Sequence, residues 1–220
     1  MRGAHATRAV LLMVSCCCSP WASAGQQAVD PPGRAAVRAA GTLALQEGDP
    51  VRMPGGLASL CQRDASFCAP APGIRQAMHL TPAQTALLGR VNAAVNHTIA
   101  STTDRKLYGK DEYWSLPTSA GDCEDYVLLK RRMLIRAGLP EALLLITVVH
   151  DENDEGHAVL SVPTEEGDLV LDNRRDEILH WWETGYRFIK RQSERAPAIW
   201  VSLGNEKLQA TDIASGPALP

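Results

Sequence analysis

The sequence lacks the marks of a membrane, repeat or nucleic-acid-binding protein. No apolar run reaches the roughly 20 residues that a spanning helix needs, and no segment repeats along the chain. Lys and Arg number 22 against 25 Asp and Glu, a formal charge of −3, so there is no basic surplus for a polyanion. No second Cys or His stands at ligand spacing from Cys123, which argues against a structural zinc site. The acidic turn from Asp151 to Gly156 lacks the ligand spacing of an EF-hand. These absences leave an ordinary globular composition, and 220 residues suffice for one domain with a substantial core.

The first 24 residues read as a signal peptide. Arg2, His5 and Arg8 form a basic start, and Ala9 to Cys18 is a short apolar run. Ala22-Ser23-Ala24 is a small-residue cleavage site, so the mature chain is expected to begin at Gly25, in the periplasm or outside the cell. Cleavage before Cys16, as in a lipoprotein, is the weaker alternative because Met13 suits that motif poorly. Cys16, Cys17 and Cys18 leave with the leader. Cys61 and Cys68, seven apart in the Pro/Gly-rich stretch Pro54 to Gly73 that reads as an ordered loop, are then the natural disulfide of an oxidising compartment, and Cys123 is left as a lone thiol.

Residues 25–53 read as a mobile N-terminal tail, 54–204 as the folded domain and 205–220 as a loose C-terminal tail. Thr81-Pro82 starts a helix expected to reach about Ser101, with Thr as N-cap and Pro at the first helical position. His97 within it suits a surface or core-edge role. Asp104 to Ala120, with Tyr108, Tyr113 and Trp114, reads as a loop that shapes a pocket or covers the core. The run after Cys123 reads as a helix stopped by Gly138 and Pro140. Ala142 to Val149 reads as a buried strand. His157 to Val162 and Leu169 to Asn173 read as a hairpin. A centre between Glu165 and Glu166 sets His157 opposite Arg174 with Asp172 diagonal to it; a centre one residue earlier sets Asp172 directly opposite. Ile178 to Trp182 reads as a short helix or loop, and Tyr186 to Gln192 and Ile199 to Leu203 as the last strands.

The chain is organised around Gly121-Asp122-Cys123-Glu124-Asp125-Tyr126. A helix start favours a thiolate, whereas flanking acids disfavour one. A reactive Cys123 therefore needs a compensating cation, an imidazolium or a bound metal. The bland reading is a buried inert cysteine with acids capping the helix. A cysteine nucleophile also needs a base and a group that orients the base. The hairpin supplies both, which makes Cys123, His157 and Asp172 the candidate triad. Acyl transfer to water, acyl transfer to an amine, and a non-catalytic binding module with a silent thiol remain open on these residues.

Gly121-Asp-Cys-Glu-Asp-Tyr126, Gly156-His-Ala-Val-Leu160 and Leu169-Val-Leu-Asp-Asn173 together resemble the bacterial transglutaminase-like cysteine proteinases, a family that includes periplasmic adhesin-cleaving proteases. Val91-Asn-x-x-Val-Asn96 and Glu112-Tyr-Trp-x-x-Pro117 extend the resemblance, which spans roughly Leu80 to Leu203. It implies an α+β, papain-like or transglutaminase-like fold, with the nucleophile on a helix N-terminus packed against an antiparallel sheet. Cys123 would be the nucleophile, His157 the base and Asp172 its orienter, in an enzyme cutting a protein substrate. Asp122 and Glu124, assisted by Asp125, would bind calcium, Ca2+. A cell-surface adhesin as substrate and an inhibitory receptor domain as partner also follow from the resemblance. Gly185-Tyr-Arg-Phe-Ile-Lys-Arg-Gln192 departs from the adhesin-cleaving pattern, which points to a separate branch and leaves the triad intact.

Overall fold

The computed structural model describes residues 44–69, 77–194 and 199–204. The expected leader, residues 25–43 of the expected N-terminal tail and the C-terminal tail lie outside these. Seven antiparallel strands form the main sheet, in the order β1-β9-β8-β4-β5-β6-β7. They are β1 Glu47–Val51, β4 Leu145–His150, β5 Gly156–Val162, β6 Leu169–Asp172, β7 Arg175–His180, β8 Arg187–Gln192 and β9 Trp200–Leu203. β2 Ala100–Ser101 and β3 Ala120–Gly121 form a separate short parallel pair. The helices are α1 Gly55–Arg63, α2 Pro82–Thr98, α3 Asp104–Tyr108 and α4 Cys123–Arg136.

α4 forms where the apolar residues recur at helical spacing. Tyr126, Val127, Lys130 and Leu134 are buried along it, and Ala137 and Gly138 close it. It packs on β5 and against α2. α2 starts in a capping box between Thr81 and Gln84, with Pro82 at its first turn, an arrangement that stabilises a helix by about 1 kcal/mol. The strands alternate in register with this packing. Ala158, Leu160 and Val162 of β5 enter the large core beneath the helices, whereas Val159 joins a smaller cluster with Leu45, Tyr186, Phe188 and Leu203.

Three expectations change. Residues 47–51, expected within the tail, pair with β9 as an edge strand, tied by Arg191, which bonds Asp168 and the Leu45 carbonyl. The loop expected at 54–73 contains α1 and a 3-10 turn, Ala65–Cys68, with the Cys61–Cys68 disulfide joining them. The short helix or loop expected at 178–182 is mostly strand, because β7 runs to His180 before a 3-10 turn at Trp181–Glu183. The hairpin of β5 and β6 has the first of the two registers considered: Leu160 pairs with Leu171, Ser161 with Val170 and Val162 with Leu169.

Candidate active site

Cys123 is the first residue of α4, where backbone N–H groups have no partner within the helix. His157 lies near the start of β5 and Asp172 at the end of β6, just before a two-residue turn into β7. Both are buried. His157 Nε2 and Asp172 Oδ1 are 2.9 Å apart. That contact commits Nε2 to the carboxylate and leaves Nδ1 as the nitrogen free to serve the thiol. Cys123 and His157 line one open cleft of about 270 Å³, together with Glu112, Trp114, Glu124 and His150.

Asp172 is held from every side. The Tyr186 hydroxyl donates to Oδ2 at 2.6 Å and the Arg174 N–H to Oδ1 at 3.1 Å. Asn96 Nδ2 donates to the Asp172 carbonyl at 3.0 Å and also to the Arg175 carbonyl and Asp176 Oδ1. Asn92 Nδ2, one helical turn earlier, donates to the Arg175 and Asp176 carbonyls at 2.9 and 3.0 Å. Burial works to raise the Asp172 pKa, but the bonds and charge from His157, with Tyr186 and Arg174, outweigh it and bring it to about 2. Asp172 is therefore a carboxylate at neutral pH. Tyr186, buried and bonded to that carboxylate, is pushed up to about 12 and stays a donor.

The acids around Cys123 set the opposite condition. Burial, then the Glu124 charge, pushes the Cys123 thiol well above its usual value, against a bond from the Ala158 N–H. The thiol donates to Glu124 Oε2 at 3.3 Å. Burial and the Asp122 charge push Glu124 up to about 9. Asp122 is the N-cap residue of α4, yet its side chain makes no capping bond. It accepts instead from the Asp104 N–H at 3.2 Å.

Asp104, Asp122 and Glu124 bring one carboxylate oxygen each within 4.8 Å of one another. Asp104 Oδ1 and Asp122 Oδ1 are buried without a hydrogen-bond partner. All the donors are carboxylate oxygens, which suits a hard cation such as calcium and not zinc. The structure thus unites two of the three expected metal residues, Asp122 and Glu124, and adds Asp104. Asp125, the third, turns to the side: it accepts from the Ser115 N–H at 2.8 Å and packs against Gly121. Burial pushes it up to about 7. Asp104 lies 18 positions from Asp122 in a segment read as a loop; its only sequence signal is an acid following Thr103 at a helix start.

The loop before α4 lines the cleft through Glu112 and Trp114. Trp114 is buried, its Nε1 donates to Glu112 Oε1 at 2.7 Å, and its carbonyl accepts from Arg63 at 2.6 Å. His97, within α2, is exposed, bonds Asp176 at 2.7 Å and is not among the residues that line the cleft.

The sequence model of the family described as bacterial transglutaminase-like cysteine proteinase matches residues 47–208. No curated protein matches the chain. Among solved structures, calcium-bound LapG from Legionella pneumophila is 24% identical over 59% of this chain and 76% of its own, with a TM-score of 0.46. A second LapG structure from that organism gives 26% identity over 60% and 72%, and an EGTA-treated form 24% over 60% and 74%, both with a TM-score of 0.46.

Proposed function

The chain belongs to the bacterial transglutaminase-like cysteine proteinases and is a cysteine peptidase, and from that premise we propose that it is an exported enzyme cutting a protein substrate through a thioester on Cys123. The buried 2.9 Å contact between His157 Nε2 and Asp172 Oδ1, beside a cleft that also holds Cys123, carries the proposal. Asp172 fixes the His157 tautomer. His157 takes the Cys123 proton, and the thiolate attacks the scissile carbonyl. The imidazolium then protonates the leaving amine as the C–N bond breaks. A water, deprotonated by His157, hydrolyses the thioester and regenerates the thiol. The Cys123 backbone N–H at the α4 start is one donor for the oxyanion.

Calcium belongs to the same proposal. Asp104, Asp122 and Glu124 would hold it, and the two buried oxygens without partners support this. When bound, it would offset the acids that oppose a thiolate and fix the start of α4. Export rests on the basic start, the short apolar run and Ala22-Ser23-Ala24, and the Cys61–Cys68 disulfide suits an oxidising compartment. The adhesin substrate and inhibitory receptor domain complete the proposal and rest on the motif resemblance alone. Among the described residues no helix is long and apolar enough to cross a membrane.

Iodoacetamide labelling mapped to the Cys123 peptide, in calcium and in chelator, tests the chemistry. Rapid labelling in calcium, slowed about tenfold or more in His157→Ala, is the expected result. Equally slow labelling of both proteins would overturn the peptidase mechanism.

A further inference from the structure

The acidic turn from Asp151 to Gly156 has no part in the mechanism above. It joins β4 to β5, and His157 is the second residue of β5. The Asp151 side chain at its start is fully buried. Oδ1 accepts from the Asn153 and Glu155 N–H groups, both at 2.9 Å, and the Asp151 N–H donates to the Glu155 carbonyl at 2.9 Å, so this residue shapes the turn. Oδ2 serves a different element: it accepts from Arg174 Nη1 at 2.6 Å. Arg174 lies in the two-residue turn between β6 and β7. Its backbone N–H donates at 3.1 Å to Asp172 Oδ1, the same oxygen that meets His157 Nε2 at 2.9 Å. Arg174 therefore bonds the turn before His157 with its side chain, and the carboxylate that orients His157 with its backbone.

The sheet needs a fastening at this end. The β5–β6 ladder runs from Val162–Leu169 to Leu160–Leu171 and stops short of both His157 and Asp172. Past it, two side-chain contacts span the strand ends, His157 with Asp172 and Asp151 with Arg174. We propose that the Asp151–Arg174 ion pair positions the triad, locking the β4–β5 and β6–β7 turns together so that Asp172 meets His157 at bonding distance. The inference rests on Asp172 being the orienter of His157. The Arg174 bond, with that of the Glu155 N–H, brings Asp151 to about 2, so the pair is charged at neutral pH. A bond between two charged groups is stronger and more directional than a neutral one, which suits a clamp. The same turn is held on its other flank, where Asp154 accepts from Arg187 of β8 at 2.5 Å and lies 2.9 Å from His150 Nδ1. Arg187 thus ties the turn to β8, and Arg174 ties it to the strand pair that carries Asp172.

The test is the rate of iodoacetamide labelling of Cys123 at neutral pH, in calcium, in the full chain. Wild type, Asp151→Asn, Arg174→Ala, the double variant and His157→Ala are compared, each with its fold confirmed by circular dichroism. Asp151→Asn keeps an acceptor for the turn N–H groups and removes the charge that receives Arg174. Each single variant should label about three- to tenfold more slowly than wild type, and the double variant no more slowly than the slower single, because both changes remove one interaction. A loss of stability alone has the opposite sign, since opening the fold exposes the half-buried thiol and speeds labelling. The His157 ring N–H gives a second readout. Its buried bond to Asp172 holds it downfield in the proton NMR spectrum, and in both single variants it should move upfield or be lost to exchange. Unchanged labelling in either folded single variant overturns the proposal, as does an additive double variant or an unmoved ring N–H resonance. Failure of both single variants to fold assigns the pair to the fold and overturns its positioning role. His157→Ala separates the two readings: wild-type labelling there defeats the triad itself, whereas slow labelling there beside unchanged Asp151→Asn and Arg174→Ala defeats the role of the ion pair alone.

Discussion

Cys123 sits where the helix start favours a thiolate, while its nearest acid, Glu124, accepts a hydrogen bond from the thiol and favours the protonated form. That conflict explains why a single cysteine needs so many partners. Cys123→Ala should abolish turnover and leave the melting temperature within a few degrees of wild type; retained turnover would remove Cys123 from the chemistry. Asp172→Asn should lower the rate by about 10³- to 10⁴-fold, as expected when the orienter no longer fixes the base tautomer. Kinetics with the wild-type fold confirmed by circular dichroism would measure this, and a near-normal rate would release Asp172 from its role. Gly121 is constrained from another direction. A Cβ there would come within 2.7 Å of the Asp125 side chain and 2.6 Å of its carboxylate. Gly121→Ala should therefore destabilise the protein by about 1–3 kcal/mol through overpacking. Urea unfolding reads that loss, and an unchanged midpoint would show that Asp125 can move aside. Gly56 is similar: a Cβ would approach the Trp114 indole at 2.2 Å, so α1 can lie against the cleft-lining Trp114 only without a side chain there.

At the scale of elements, α2 acts on the site without touching the thiol. Asn96 Nδ2 serves three acceptors with two hydrogens, so one amide fastens both sides of the β6–β7 turn. Asn96→Ala should destabilise the chain by about 1–3 kcal/mol, the cost of taking this donor from the Asp172 carbonyl, and slow iodoacetamide labelling of Cys123. Loss of stability with an unchanged labelling rate would confine Asn96 to the fold. These elements differ in how plainly the sequence announced them. α4 was legible because its period, first-turn acids and Gly138 stop agree, whereas alternation narrowed the β5–β6 register only to two, of which the structure takes the one centred between Glu165 and Glu166. β7 was not, because Arg175-Asp176-Glu177 is a charged edge whose pairing depends on α2, many residues away. β1 escaped for the same reason: its partner β9 lies at the other end of the chain. The metal residues split likewise. Asp122 and Glu124 stand inside the motif, whereas Asp104 reaches them only once α3 and the β2–β3 pair bring its segment against the α4 start.

For the whole molecule, the acids near α4 and the acids of the sheet make different demands on solution conditions. Calcium should raise the melting temperature of wild type, and Asp104→Asn should weaken that response, because it removes charge from one of the three carboxylates. Equal melting in calcium and chelator would leave the cluster without a cation. The sheet acids govern the acid limit. Asp172 is brought to about 2 once its bonds overcome burial, and Asp151 to about 2 chiefly by the Arg174 bond. An unfolded aspartate titrates near about 3.9. Between about 3.9 and about 2 the unfolded chain therefore binds more protons than the folded one, so stability falls as pH falls through that window. The contribution is fully present above it and gone below about 2. For Asp172 it is on the order of 2 kcal/mol. Thermal melts from about pH 5 to about pH 2 should show a shallower decline in Asp172→Asn than in wild type, since the variant has lost that linked proton. A decline of equal slope would mean that Asp172 ionises alike in the folded and unfolded chains, and the hydrogen bonds that surround it would then have no net hold on its charge.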